Sequence, residues 1–405
     1  MQLFSTSRSA ALSTLQDFVP EAVTYGQQRN FDNGPGAIRP TTSRLSPYLR
    51  LRIISEEEVL SAVLAKHSLH HVEKFVQEVL WRTYWKGWLE MRPSIWHQYC
   101  RRLIELESFA NSRPVRSAVQ GTTGIECFDS WVHELTQTGF LHNHTRMWFA
   151  SIWIFTLKLP WELGAAFFIE HLYDGDPASN TLSWRWVAGL QTPGKHYLAT
   201  AENIRRFTSG RFYPKGQLDE EAPPLESDHQ IPSPKPVPAL AGQPKLTPDN
   251  SKTAYLLHPE DLSPTLPTSP GSLLFYGSND EVDNLEKIAP AVASFRSEAL
   301  DSAALELVAR HHLQAYKLQP EDWFKNLTEV LESEQVRTLV TPFAPLGPWR
   351  LLLDRLSSHC QSVGIKFQFQ SRLLDQLLYP KATHGFFRFK KAIPETLRSL
   401  NFTTN

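Results

Sequence analysis

The chain is 405 residues long, 41% hydrophobic and 20% charged, with a formal net charge of −1. That length gives room for two domains with cores of their own, and the composition excludes wholesale disorder. Residues 1–213 carry 22 Lys and Arg against 19 Asp and Glu, and the remainder 19 against 23, so any nucleic-acid groove must be a local patch rather than a basic domain.

Three scattered cysteines, Cys100, Cys127 and Cys360, suit a reducing cytoplasm without a disulfide framework, and are too few for a four-cysteine iron–sulfur cluster. No apolar N-terminal leader is evident, and no run approaches the ~18 apolar residues of a membrane span. The expectation is a soluble cytoplasmic protein that does not enter a membrane.

In chain order, residues 1–24 read as an amphipathic helix with Leu12, Leu15, Phe18 and Val19 on one face. A polar loop with Gly34, Pro35, Gly36 and Pro40 leads to Thr42–Ser46. The SEEEV run from Ser55 then caps a further helix. Small hydroxyls and free N–H groups before a helix suit either ordinary capping or phosphate oxygens. Val72 to Met91 has helical period. Glu78 and Arg82 share a face there with Trp81 and Trp85 close by, which reads as a surface ion pair or as buried, purposeful charge.

GTTGIECFDSWVHEL (121–135) is a glycine turn and helix, Phe140–Leu157 is helical, and Pro160 opens a helix over Trp161–Leu172. The loop DGDPASN follows, with Asp174 and Asp176 two apart and Asn180 beyond, then Trp184 and Trp186. The loop lacks the carboxylate count of a calcium site, so by itself it is a buried polar turn between aromatic helices, and no metal is assigned. Ten of twelve tryptophans precede residue 214, as suits either a Trp-rich core or a pocket for an aromatic ligand.

Residues 214–270 hold 13 of 29 prolines and read as an extended linker. Beyond it, SLLFYG, VRTLVTPF and IKFQFQ read as strands, WRLLLDRLSSHCQSVG and LLDQLL as helices, and ALELVAR as either. The expected fold is an all-helical N-terminal domain (1–213), a Pro-rich linker (214–270) and a C-terminal α/β domain (271–405) with a mainly parallel sheet.

TSRLSPYL, EVLWRTYW, the HN-x-x-RM run, W-x-x-G, DGDxxxN and WxW occur in that order over some 190 residues. Together they resemble the flavin-binding domain of the DNA photolyase/cryptochrome family. SVGIKFQFQSRLLD and HGFFRFKKAIPETL are similar to the end of that family's antenna domain, which usually precedes the flavin domain and here follows it.

The resemblance implies FAD folded in a U. Its phosphates would rest on Thr42, Ser43, Leu45 and Ser46 near Tyr25, and Asp174, Asp176, Asn180, Arg146, Arg82 and Phe168 would surround its rings. Arg146 paired with Asp174 would favour an anionic reduced flavin. It implies a pocket for a flipped pyrimidine dimer with Trp81 and Trp186 as walls, Glu78 on the base edge, and Asn143 and Met147 lining it. Asn143 stands where the six-four repairing branch has histidine, so cyclobutane dimers are the implied lesion. Photoexcited reduced flavin would pass an electron to the dimer, and the electron would return once the ring has split. Trp184 and Trp161 match the family's electron chain, with Trp96 as third, surface member and Trp88 and Trp153 as rivals.

The family's usual Trp three residues before the GxTG glycine is Ala118 here, so packing must differ there. The implied partner is UV-damaged DNA met by a monomer, with Arg205, Arg206 and Arg211 as phosphate contacts. The C-terminal domain leaves room for a second, antenna chromophore, for which no motif is present. The alternative implied by the same family is a blue-light receptor without repair activity.

Overall fold

The computed structural model describes residues 4–35, 41–226, 230–237, 252–266 and 271–402. The N-terminal half is helical. The expected first helix is the shorter Arg8–Phe18, capped by the Ser7 hydroxyl accepting from the Ala10 N–H. The Glu56–Lys66 helix starts with a capping box, Ser55 bonding Glu58 N–H and Glu58 bonding Ser55 N–H. Its neighbour Leu69–Glu90 is the axis of the half. Val72, Phe75, Val76, Val79 and Leu80 on its buried side join the main core. Glu126–Thr138 ends on Gly139 in the left-handed conformation. Asn143–Ser151 runs into a wide π turn at Ile152–Thr156, and Trp161–His171 and Pro177–Val187 complete the pocket-bearing set.

The C-terminal half is a five-stranded parallel sheet. Its strands are β1 (Thr253–Leu257), β2 (Leu273–Tyr276), β3 (Gln314–Lys317), β4 (Thr338–Pro342) and β5 (Lys366–Gln370), in the order β3-β2-β1-β4-β5. Register runs Tyr255 to Leu274 on one side of β1 and Tyr255 to Val340 on the other. The central strand therefore lies inside the stretch expected to be linker. A five-residue run, TAYLL, is too short to stand out from the surrounding prolines. ALELVAR is part of the Pro290–His311 helix.

Period-two alternation in the sheet joins the halves. Tyr255, Leu257, Leu274 and Val340 point into the core that includes the N-terminal helices, whereas Ala254, Leu256, Leu273, Phe275 and Leu339 form a second core on the opposite face. After β5 the helices Leu373–Leu378 and Phe386–Phe389 return to the Leu69–Glu90 helix, and Ile393–Ser399 packs on Leu373–Leu378. A Cβ on Gly87 would stand 2.8 Å from the Tyr379 backbone, so only glycine permits this approach. Among the described residues no helix is long and apolar enough to cross a membrane.

Candidate functional site

The acidic turn sits where the Trp161–His171 and Pro177–Val187 helices meet. Asp176 is the N-cap of the second helix, accepting from Ser179 N–H at 2.7 Å. Burial alone would raise its pKa, but Lys86 at 3.4 Å, Arg82 at 3.6 Å and Arg50 outweigh that and hold it well below the ordinary carboxylate range. Asp174 is similarly buried and is held below its ordinary pKa by Arg146, whose Nη2 donates to its Oδ2 at 2.9 Å, by Ser46 and by Arg82. Both aspartates are thus ionised at neutral pH. The Ser46 contact brings the TSRLS loop onto the acidic turn. Asn180 donates Nδ2 to the Ala165 carbonyl at 2.8 Å, which leaves its Oδ1 for a ligand.

The loop itself is shaped for an anion. Arg44 has φ +53, left-handed and costly for a side-chain-bearing residue, and Leu45 follows at φ −87, ψ −9. Successive residues of opposite handedness turn their N–H groups into a concave nest. Beside it lies a small open depression lined by Thr41, Thr42, Arg44, Glu134, Phe140 and His142 among others. Burial, with Asp32 adding to it, pushes the Glu134 carboxyl up to about 7, and burial pushes His142 down to about 4. Ser43 is half-buried, and Leu45 is buried and serves as packing.

The chemistry of these donors fits a dinucleotide with a polar ring system. Asp174 Oδ1, Arg82 Nη1, Lys86 Nζ and Arg44 Nε are buried without a hydrogen-bond partner among the described residues. Such atoms usually mean a ligand or water. Phe168 is buried with its ring 5.1 Å from Trp184.

The pocket wall residues separate into two groups. Glu78 is paired by Arg29 Nη1 at 2.5 Å, with the Tyr25 phenol close enough to be pushed up by burial and by the Glu78 charge. Trp81 stacks on Phe386 with centroids 3.7 Å apart and planes 11° from parallel, so one of its faces is covered by this chain. Trp186 is 37% exposed and lies 6.0 Å from Tyr197, whose hydroxyl reaches His144 at 3.3 Å. Asn143 is exposed at a helix start and Met147 half-buried one turn on.

Trp184 is buried, and its indole N–H has no partner among the described residues. Gly164 makes room for it, since a Cβ there would stand 2.3 Å from its ring. Trp161 stacks on Tyr99 at 5.6 Å, and Tyr99 lies 5.4 Å from Trp96. Trp96 is only 6% exposed, and Trp88 and Trp153 are also buried, so none of the three expected candidates is a surface residue. Burial of the helix start by its neighbours overrides the exposure its flanking polar residues suggest. Arg205 and Arg211 are already paired, with Glu202 and Asp32, whereas Arg206 lies over the Phe207 ring with no carboxylate partner among the described residues. Reading the sequence missed Lys86, Arg50, Arg29 and Arg44. Lys86 at i+4 from Arg82 was the available signal.

Residues 75–216 match the model described as the FAD-binding domain of DNA photolyase. That stretch of the helical half is similar to the family's flavin domain. The deoxyribodipyrimidine photo-lyase of Synechococcus sp. is 31% identical over 223 residues, 52% of this chain and 45% of that protein. That of Streptomyces griseus is 34% identical over 184 residues, 45% of this chain and 40% of that protein. A crystal structure of a class III photolyase from Agrobacterium tumefaciens aligns at 28% identity and TM-score 0.42, covering 50% of this chain and 43% of that one. The chain spans about half the length of the curated relatives it matches. The matched residues all lie in the helical half.

Proposed function

We propose that the protein is a light-driven repair enzyme that splits cyclobutane pyrimidine dimers in DNA, using reduced FAD held by the helical half. The observation that carries the reading is the cluster of Asp174, Arg146, Ser46, Asp176 and Arg82, with unpartnered buried atoms beside an anion nest. When bound, reduced FAD supplies an electron donor that light makes strongly reducing, and the electron returns after the ring opens. The chain's own residues hold and orient. Arg44, Thr42 and Ser43 would hold phosphate, Arg146 would balance negative charge beside Asp174, and Asn180 Oδ1 would accept a ring N–H. Arg29 fixes Glu78, whose other carboxylate oxygen would meet the dimer's base edge. Trp186 and Trp81 would replace lost base stacking, worth about 1–3 kcal/mol per base. Splitting the ring by electron transfer and return moves no proton and adds no water, so no general acid or base is called for.

The test is a light and dark comparison on an irradiated thymidine oligonucleotide with reduced protein. Dimers should disappear under blue light and persist in the dark. Persistence under light, with FAD bound, would turn the reading into that of a blue-light receptor. In favour of that second reading is Phe386, which already occupies one face of Trp81.

A further inference from the structure

The net charge of −1 leaves open which surface would meet DNA, and the C-terminal segment answers it. Residues 381–398 carry five Lys and Arg (Lys381, Arg388, Lys390, Lys391 and Arg398) against one carboxylate, Glu395. Among the described residues none of the five pairs with a carboxylate, whereas Arg205 and Arg211 are neutralised by Glu202 and Asp32. The same segment holds the largest exposed aromatic surface of the described residues. Phe387 is 78% exposed, with Lys390 Nζ 5.6 Å from its ring centre. Its neighbour Phe386 is 5% exposed and stacked on Trp81. Tyr84 fixes the segment by donating its hydroxyl to the His384 carbonyl at 2.9 Å. A cationic strip with a free aromatic ring is therefore anchored rigidly to one wall of the proposed pocket.

We propose that Lys381–Arg398 is the surface that grips DNA beside the extruded lesion. Arg388, Lys390 and Lys391 neutralise phosphates, and Phe387 stacks on a base left without its partner. The proposal rests on the reading of Trp81 as a pocket wall. An anionic membrane is the other polyanion such a strip could meet. The Phe386–Phe389 helix, however, spends its other two rings, Phe386 and Phe389, inside the core, so it has no apolar face to insert.

The experiment measures binding of the full chain to an undamaged duplex and to a single-stranded oligonucleotide across a salt series, with anionic phosphatidylserine vesicles in parallel. All the substituted positions are surface ones, so melting temperature and FAD content should match wild type. With Arg388→Gln, Lys390→Gln and Lys391→Gln combined, affinity should fall at least tenfold. The salt slope should drop by about 0.9 for each lost phosphate contact. Phe387→Ala alone should weaken single-stranded binding roughly tenfold at an unchanged salt slope. Wild-type affinity and slope in the triple variant would overturn the proposal, as would vesicle binding without oligonucleotide binding, or no binding to DNA by the wild type. Weakened DNA binding in a protein that repairs no dimers would sink the repair reading and leave this surface standing. Repair with unaltered binding in the variants would do the reverse.

Discussion

Arg50 donates its Nε to the carbonyl oxygen of Gly175 at 2.6 Å, gripping the residue between the two aspartates of the acidic turn. The same guanidinium bonds Glu260, just past β1, at 2.7 Å. Through one buried arginine the α/β half therefore bears on the acidic turn. Both groups are buried, and Nη1 of Arg50 has no hydrogen-bond partner among the described residues.

Glu260→Gln leaves the arginine charge buried without its counter-ion. Removing one partner of such a pair costs about 3–5 kcal/mol. A large fall in unfolding free energy is expected, together with weaker FAD retention on dilution. Denaturant unfolding and released-flavin fluorescence check both, and a variant as stable and as well loaded as wild type would refute the coupling.

Glu134 gives a pH signature. Its carboxyl has an ordinary value of 4.5 and is raised to about 7 in the folded chain, so the folded state holds its proton more tightly. Wild-type stability from this group is present below about pH 4.5 and is lost as pH rises through about 7. Glu134→Gln removes that loss. The melting-temperature difference, variant minus wild type, should grow between pH 4.5 and 7 and then level. A difference independent of pH in the FAD-free protein would contradict the assignment.

Trp184 packs against Phe168, Trp153 and Phe149, with Gly164 beneath it. Trp184→Phe keeps an aromatic ring in that space while removing the indole that the family motif places in the electron chain. FAD content should be retained and photoreduction by an external donor slowed at least tenfold, read from the flavin absorbance under blue light. Wild-type kinetics would take Trp184 out of the chain and leave it a packing residue.

The helical half was legible because its signals are local. The Ser55 capping box, the left-handed Gly139 and the Asp176 N-cap lie within a few residues of the helices they start or stop. The acidic turn and its partners Ser46, Arg82 and Arg146 were legible from motif order, whereas Lys86 and Arg50 were not. Contacts between distant segments were not. Nothing near Trp81 announces that Phe386, some 300 residues on, lies over it, nor does anything near Arg50 announce Glu260. β1 hid among prolines because a five-residue buried strand has neither the length nor the alternation that a composition window detects. Trp96 was misplaced to the surface because exposure is decided by what packs on a helix face, here Tyr99 and the Trp161 helix.

The most direct measurement is the flavin content of the purified chain, with the nucleotide identified after denaturation, for wild type and Asp174→Asn. The account predicts FAD in equimolar amount in the wild type, and its loss on washing from the variant, where Arg146 no longer faces an ionised partner. A wild-type chain that carries no FAD and takes up none when it is added would contradict it.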